Sequence, residues 1–209
     1  IDAFNDEYIA AYPVEDAVAD VMLLQQHTSR SVRAVPALSE GAEHYVRIFN
    51  SPEALRLSRL LPVFTAFGID VADEYPYQIK PSDRESIWLH DIGFNVSVAL
   101  DSQWKTRFES ALLASLSGEC EVDSLQQLVL SAGLRHEDVS ILRTVVGYVS
   151  QWGTFSLTTV QESLTSYPAI ARNLWKLFDA RLNPHSTGDD ASIIVDELTG
   201  QLDAVTSLD

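Results

Sequence analysis

The sequence predicts an α+β protein, in which a small sheet unit of strand–helix–strand–strand order is followed by an all-α helical region. Two observations predict the sheet unit: segments with apolar residues at alternate positions, and a helical segment between the first two of them. Apolar residues at three- and four-residue spacing after Leu100 predict the helical region. In this order, the helix of the sheet unit is expected to cover one face of its sheet.

The first part of the chain, residues 1–43, is predicted to contain one helix and one loop. A helix is expected from about Val14 to Gln25, because its apolar residues recur at helical spacing and Pro13 suits a helix start. The segment 27–43, HTSRSVRAVPALSEGAE, is polar and irregular, and it is interpreted as a loop.

The sheet unit is assigned to residues 44–99. Its first strand is HYVRIFN, which alternates like a half-buried strand. Ser51 and Pro52 are a plausible N-cap and first residue of the next helix. The apolar face of this helix is expected to comprise Leu57, Leu60, Leu61 and Phe64. Pro62 is expected to kink the helix, and Gly68 is expected to end it. The segments IDVADEYPYQI and ESIWLHDIGFNVSV are predicted as the second and third strands, joined by the turn PSDRES.

The helical region is assigned to residues 100–209. Its first helix is expected to be capped by Asp101 or Ser102, and a second helix is expected to end at Gly133. The third helix, 135–151, has an apolar stripe at Val139, Leu142, Val146 and Val149. Pro168 is expected to separate helices at 158–166 and 169–182, and a last helical stretch, ASIIVDELTGQLDAVTSL, is expected to be interrupted by Gly200.

Composition limits the classes of function. The chain has 209 residues, 46% of them hydrophobic and 21% charged, which is typical of a globular protein of one large or two small domains. A net charge of −16 with 14 scattered Lys and Arg residues argues against nucleic-acid binding, and no apolar run is long enough to predict a membrane segment. The single cysteine, Cys120, favours a reducing cytoplasm. Because the chain begins with Ile, we expect a piece of a longer polypeptide.

No motif predicts a catalytic, cofactor-binding or metal-binding residue. The nine glycines contain no GxG pair and no GxxxxGK loop, so the usual dinucleotide turn is not expected. His90 and Asp91 are adjacent on a strand, so their side chains should point to opposite faces. The five histidines, including His27, lack the spacing of helical metal ligands, and the acidic pairs Asp189–Asp190 and Asp196–Glu197 are interpreted as solvated surface.

The aromatic residues of the helical region have two interpretations. Their apolar helical patterns favour packing in the core or between helices for Trp104, Tyr148, Trp152, Trp175 and Phe178. Alternatively, some of them are anchors of an interface with another domain, and Trp175 and Phe178, three residues apart, are the first candidates.

Short strings in both regions resemble a known family. HYVRIFN and IWLHDIGF resemble strings in the sheet-containing modules of that family. A later, helical segment of the family is resembled by the strings LVL, AGL, EDV, ILR and YV of this chain, followed by YPAIA and LFDAR. In this order and spacing, the chain is similar, from about Phe4 to Pro184, to the large, NAD-specific class of bacterial glutamate dehydrogenases. It departs from the family at Arg135–His136, where a tryptophan is usual.

The resemblance implies an ACT-like regulatory fold for residues 44–99 and a position ahead of the dehydrogenase core. The parent enzyme would deaminate L-glutamate oxidatively to 2-oxoglutarate and ammonia with NAD, whereas no residue of this chain matches a catalytic residue or an NAD ligand. The implied partners are other domains of the parent chain and further copies of it, in the cytoplasm. Two alternatives remain: an amino-acid-sensing ACT-like module, and a helical protein-interaction scaffold unrelated to dehydrogenase activity.

Overall fold

The structure is a computed structural model that describes residues 3–4, 6–25, 29–36, 42–153, 155–186 and 191–205. Within these residues, helices both precede and follow a sheet of four strands. The elements in chain order are α1 (Asp6–Ala11), α2 (Val14–Gln25), β1 (Arg30–Pro36), β2 (His44–Asn50), α3 (Leu57–Ala66), β3 (Ile69–Ile79), β4 (Ile87–Val96), α4 (Trp104–Ser117), a 3-10 turn (Ser124–Gln126), α5 (Gln127–Ser131), α6 (His136–Ser150), α7 (Leu157–Ser166), α8 (Pro168–Leu182) and α9 (Ala191–Asp203).

The chain divides into two compact units, which we name the sheet unit and the helical unit. The described part of the sheet unit runs to Thr65 and also includes Ile69–Ser97 and Phe108–Glu119. The helical unit comprises Ala66–Gly68, Val98–Arg107 and the described residues from Cys120 onward. These units interleave along the chain, whereas the predicted division at 1–43, 44–99 and 100–209 is contiguous and stays a prediction.

The sheet is antiparallel throughout, with the strand order β1-β2-β4-β3. One row of residues crosses it from edge to edge, because Arg33 pairs with Arg47, Arg47 with Asp91, and Asp91 with Tyr75. Like charges directly opposite each other destabilise a sheet unless other groups compensate them. The helix α2 supplies that compensation, through the acidic residues described below.

Helices cover both faces of this sheet within the sheet unit. On one face, Phe49 and Leu89 form a core with Tyr8 of α1 and Leu24 of α2. On the other face, the ring of Phe94 lies 6.4 Å from that of Phe64 in α3 and 5.5 Å from that of Phe108 in α4. The strand β2 is therefore buried on both sides from Tyr45 to Asn50, and the prediction that it is only half buried was wrong.

Three predictions about the sheet unit need correction. The predicted loop 27–43 contains the edge strand β1, which pairs with β2 over its whole length, although His27 lies outside the described residues. The helix predicted to start at Ser51–Pro52 begins only at Leu57, and the side chain of Ser51 instead donates to the carbonyl of Ser86 at 3.1 Å. The buried face of α3 is Leu60, Val63 and Phe64, because Leu57 and Leu61 are exposed.

The helical unit follows the predicted elements closely, with two corrections. α6, α7 and α8 begin within one residue of their predicted starts, and Pro168 is the first residue of α8. Gly200 does not interrupt the last helix, since α9 continues to Asp203. Val149 does not belong to the buried stripe of α6, because 45% of it is exposed. None of the described helices has the length and apolar character needed to cross a membrane.

Candidate interaction surface and buried charge cluster

An apolar opening lies among α6, α7 and α8, and we name it the helical groove. Its volume is about 450 Å³, and its walls are almost entirely aliphatic and aromatic. Each helix contributes residues from the side that faces its neighbours. The residues that define it are Val145 and Val149 of α6, Val160 and Leu164 of α7, and Leu174, Phe178 and Arg181 of α8.

Apolar residues extend along α6 beyond the groove itself. Tyr148 and Trp152, one helical turn apart, are exposed, and their rings lie 5.9 Å apart in an edge-to-face arrangement. With Val145 and Val149, they form a second apolar stripe at i, i+3, i+4 and i+7, which continues past the end of α6 at Ser150 and which we name the outer stripe. The inner stripe of the same helix, Val139, Leu142 and Val146, is buried. The outer stripe is therefore an apolar surface that the helical unit leaves exposed.

The two predicted interface anchors lie together on α8. The rings of Trp175 and Phe178 are stacked, with 5.9 Å between their centroids and 21° between their planes. Phe178 lines the helical groove, and both residues are partly exposed. Their role as interface anchors stays a prediction. For Trp152 and Tyr148, the predicted packing in the core was wrong, because they are 74% and 60% exposed.

One carboxylate fixes two walls of the helical groove. Asp123 accepts hydrogen bonds from Arg143 of α6 at 2.7 and 2.9 Å, and from Gln161 of α7 at 3.1 Å. It also caps the 3-10 turn by accepting from the backbone N–H of Leu125. Paired N–H···O bonds from an arginine to a carboxylate are both strong and directional. Asp123 therefore holds α6 and α7 in place on one side of the opening. Burial lowers the pKa of Arg143, but the hydrogen bonds and charge of Asp123 outweigh burial, so the net shift of this pKa is upward.

A cluster of ionised groups is buried in the sheet unit. Arg47 of β2 is fully buried, and its guanidinium lies 2.7 Å from Asp20 and 3.5 Å from Asp16, both on α2. It also lies 3.7 Å from the carboxylate of Asp91 on β4. Arg33 of β1 pairs with the same two α2 carboxylates. The acidic residues of α2 thus neutralise the two arginines that face each other across β1 and β2.

Two tyrosines complete this charge cluster. The hydroxyl of Tyr8 donates to Asp20 at 2.7 Å, and the hydroxyl of Tyr12 donates to Asp91. The ring of Tyr12 also packs on the Arg47 guanidinium, 4.1 Å from the ring centroid. Burial, reinforced by the neighbouring carboxylates, raises the pKa of both tyrosines far above its usual value. Both tyrosines are therefore neutral donors at any physiological pH.

Burial dominates the titration of Asp91. Its removal from water raises the pKa of the carboxyl group, although the Tyr12 hydroxyl and Arg47 act in the opposite direction. For Arg47, burial lowers the pKa, but Asp20 and Asp91 outweigh it and the net shift is upward. The cluster has the geometry of a structural ion network, with each charge held by groups of opposite sign.

A second apolar opening lies between α1 and α2, and we name it the hairpin groove. It has a volume of about 350 Å³ and is lined by residues that include Tyr8, Tyr12, Val14, Val18 and Met22. The tyrosine hydroxyls that line it are already used as donors to Asp20 and Asp91. An amino acid needs polar partners for its ammonium and carboxylate groups. The walls of this groove are suited instead to apolar contacts.

The adjacent residues His90 and Asp91 have separate partners, as their positions on a strand predict. The Nε2 atom of His90 accepts from the backbone N–H of Leu55 at 3.0 Å, and its Nδ1 atom lies 2.7 Å from Glu74. Acceptance at Nε2 places the proton on Nδ1, which then donates to Glu74. His90 therefore connects β4, β3 and the segment before α3, and it has a structural role.

No group of three or more potential metal ligands occurs in the described part of the chain. His27 and the pair Asp189–Asp190 lie outside the described residues. Glu197 of α9 accepts a hydrogen bond from Asn173 of α8 at 3.3 Å, which is a contact between helices. The sulfur of Cys120 accepts a hydrogen bond from the side-chain amide of Gln126 at 3.3 Å. Sequence patterns did not reveal Asp20, Asp123 or Arg47 as central residues, because their partners are distant in the chain.

The combination of folds defines a class of protein. A four-stranded antiparallel sheet with helices on both faces is joined in one chain to a helical unit, and each part matches a family model. The ACT3 domain of glutamate dehydrogenase matches residues 31–106, and helical motif 3 of glutamate dehydrogenase matches residues 120–184. The chain belongs to the large NAD-specific glutamate dehydrogenases, as a segment that carries these two domains.

Whole-chain similarity supports the same assignment. The NAD-specific glutamate dehydrogenase of Mycobacterium tuberculosis is 30% identical over 223 aligned residues, which cover 99% of this chain and 14% of that protein. The proteins of the same name from Pseudomonas aeruginosa and Halomonas elongata are 29% and 30% identical, over 82% and 88% of this chain. The chain spans only 11% to 14% of the length of these relatives.

Proposed function

We propose that this chain is a non-catalytic regulatory and structural segment of an NAD-dependent glutamate dehydrogenase. The parent enzyme would transfer a hydride from the Cα atom of L-glutamate to NAD, and water would then release ammonia from the imine to leave 2-oxoglutarate. The matched domains are ACT3 and helical motif 3, and neither is the catalytic domain. NAD would bind elsewhere in the parent chain, which would work as an oligomer in the cytoplasm.

The helical groove is the observation that carries this proposal. Its apolar walls continue into the exposed outer stripe of α6, so that the helical unit leaves a contiguous apolar surface uncovered. Large apolar patches of this kind mark sites of association with other protein surfaces. In a polypeptide several times longer than this segment, such a surface supports a role in positioning domains or subunits.

The alternative of an amino-acid sensor has less support. The charged groups at the centre of the sheet unit are already paired with one another, as Arg47 is with Asp20. The hairpin groove offers apolar contacts and few free polar partners. The other alternative, a scaffold unrelated to dehydrogenase activity, is less favoured than a dehydrogenase segment, because the family assignment covers both regions of the chain.

Two measurements test the proposal. The 209-residue chain alone, mixed with L-glutamate and NAD, is expected to form no NADH, whereas the parent enzyme forms it. In the parent enzyme, Val149→Asp places a charge in the helical groove and is expected to change the rate of NADH formation or the oligomeric mass measured by light scattering. Val122→Asp is the matched control, since Val122 is 41% exposed against 45% for Val149 and does not line the groove.

The outcomes are distinct. NADH formation by the chain alone would contradict a non-catalytic role. If Val149→Asp and Val122→Asp leave both the rate and the mass of the parent enzyme unchanged, the helical groove has no part in its assembly or regulation.

A further inference from the structure

The shape of the helical groove selects a helix as its occupant. Three helices form its walls, and no strand edge of the helical unit is available among the described residues to pair with an extended segment. The outer stripe of α6, from Val145 to Trp152, spaces its apolar residues at i, i+3, i+4 and i+7. Helices that lie in grooves contact them through the same spacing on their own surface.

A small molecule fits the helical groove less well. Sites for small ligands combine apolar walls with several convergent polar groups that fix the orientation of the ligand. Among the described residues that line this groove, Arg181, near the end of α8, is the one that carries a charge. The exposed rings of Tyr148 and Trp152 also continue the apolar surface past the opening, which adds apolar contact area for a helix rather than polar groups for a small ligand.

Arg181 supplies the charge of the site. Its side chain is exposed, and none of the described residues forms an ion pair with it. The nearest acidic residue in the sequence on this helix, Asp179, accepts a hydrogen bond from Asn183 at 3.0 Å. A cation beside an apolar groove, in a chain of net charge −16, is complementary to an occupant that carries a carboxylate at one end of its apolar face.

We infer that the helical groove binds an amphipathic helix from another part of the same long polypeptide, whose Asp or Glu pairs with Arg181. This inference rests on the proposed function, in which the chain is a segment of a glutamate dehydrogenase. The matched region is only 14% of the Mycobacterium tuberculosis relative, so most of such a polypeptide lies outside it. A segment in the same chain reaches effective concentrations on the order of millimolar, so a groove of modest affinity is filled.

A photo-crosslinking experiment on the full-length parent chain tests this inference. The photoreactive residue p-benzoylphenylalanine replaces Tyr148 on the exposed outer stripe, and Val122 in the control. Equal amounts of light and isotopically heavy protein are mixed before assembly and irradiation, so that mass spectrometry separates links within one chain from links between chains. The expected result at position 148 is a link within one chain to a peptide with helical apolar spacing and an acidic residue.

Links only between light and heavy chains would overturn the inference and make a second copy the occupant. Equal or absent crosslinking at positions 148 and 122 would overturn it by showing that the groove is open to water. The rate of NADH formation from glutamate is measured separately on the unsubstituted parent chain. An inactive parent chain contradicts the proposed function, whichever peptides are linked, so failure of the two proposals can be distinguished.

Charge reversal provides a second test. Arg181→Glu is expected to reduce the protection of the α6 backbone from hydrogen exchange by about tenfold in the full-length chain, because it repels the carboxylate of the bound helix. Lys176→Glu, on the same helix but not lining the groove, is the matched control and should leave that protection unchanged. Reversing the acidic residue found by crosslinking should restore protection in the Arg181→Glu chain. If neither variant loses protection of the α6 backbone, the role of Arg181 is overturned.

Discussion

Arg47 and Asp20 form an ion pair of 2.7 Å between two side chains that are both completely inaccessible to water. Removing one partner from such a pair leaves a buried charge without full compensation, which is more costly than the pair itself is favourable. We therefore expect Asp20→Asn to lower the free energy of unfolding by about 3 kcal/mol. Urea denaturation followed by circular dichroism measures this change.

The matched control for Asp20→Asn is Asp83→Asn. Asp83 pairs with Arg84 at 3.5 Å, but the Asp83 side chain is 69% exposed and that of Arg84 is 40% exposed. Exposed ion pairs contribute little to stability because water and salt screen them. The control should unfold at the same urea concentration as the unchanged protein. Equal and small effects of the two substitutions would show that the buried cluster does not stabilise the sheet unit.

The titration of Asp91 gives a prediction of pH dependence. Burial raises the pKa of Asp91 in the folded state above the value of about 3.9 that is usual for an exposed aspartate. In that case the folded protein binds the proton more tightly than the unfolded chain does. The contribution of Asp91 to stability is therefore greatest below the unfolded pKa and falls as the pH rises through the folded pKa.

Asp91→Asn removes this titration and keeps the size of the side chain. The free energy of unfolding of Asp91→Asn, minus that of the unchanged protein, should therefore become more positive as the pH is raised from about 4 to about 7. Urea denaturation at several pH values measures the difference. A difference that stays constant across this range, or that decreases, would contradict a raised pKa of Asp91.

The strands β2, β3 and β4 were predicted because their apolar residues alternate. The helices α2 and α6 to α8 were predicted from the helical spacing of their apolar residues, from their capping residues and from Pro168. It did not predict β1, whose sequence RSVRAVP places two arginines in a short strand. The charge of Arg33 is tolerated because Asp16 and Asp20 of α2 pair with it, and a contact between distant residues leaves no local pattern. The same reason explains why the charge cluster was not predicted.

The candidate site was predicted only in part. Phe178 was a predicted anchor and does line the helical groove. For Tyr148 and Trp152, packing in the core or between helices was the first interpretation, and Val149 was placed in one stripe with the residues that are buried. Periodicity identifies apolar positions such as Val146 and Val149 equally well, but it cannot distinguish the side that packs within the unit from the side that is left exposed. That distinction depends on how α7 and α8 pack against α6.

His90 links three segments of the sheet unit through both ring nitrogens. His90→Phe preserves a buried ring but leaves the N–H of Leu55 without its acceptor and Glu74 without its donor. An unsatisfied buried donor costs about 1 to 3 kcal/mol, so we expect a loss of about 2 kcal/mol in the free energy of unfolding. Hydrogen exchange of the Leu55 amide should also become faster, and NMR detects both changes.

The control for this prediction is His185→Phe, because His185 is exposed and outside the sheet unit. His90→Gln tests the mechanism, since its amide oxygen can still accept from Leu55 and should recover part of the lost stability. If His90→Phe is as stable as the unchanged protein, then the hydrogen bond to Leu55 does not hold the segment before α3.

Gly93 of β4 gives the last prediction, because a side chain at this position has no space. A Cβ atom there would lie 2.9 Å from the Cβ of Ala42 and would also meet the carboxylate of Asp73. Gly93→Ala is therefore expected to destabilise the sheet unit by about 1 to 3 kcal/mol, through overpacking between neighbouring strands.

Gly147 is the matched control for Gly93, since it lies inside α6 and nothing is within 4 Å of an added Cβ. Alanine in the interior of a helix is more favourable than glycine by roughly 0.5 to 1 kcal/mol, so Gly147→Ala should raise the free energy of unfolding. The same substitution is thus expected to have opposite signs at the two positions, and thermal and urea denaturation measure both. A stabilising effect of Gly93→Ala would mean that Asp73 and Ala42 move away without cost, and that β4 is not closely packed at this point.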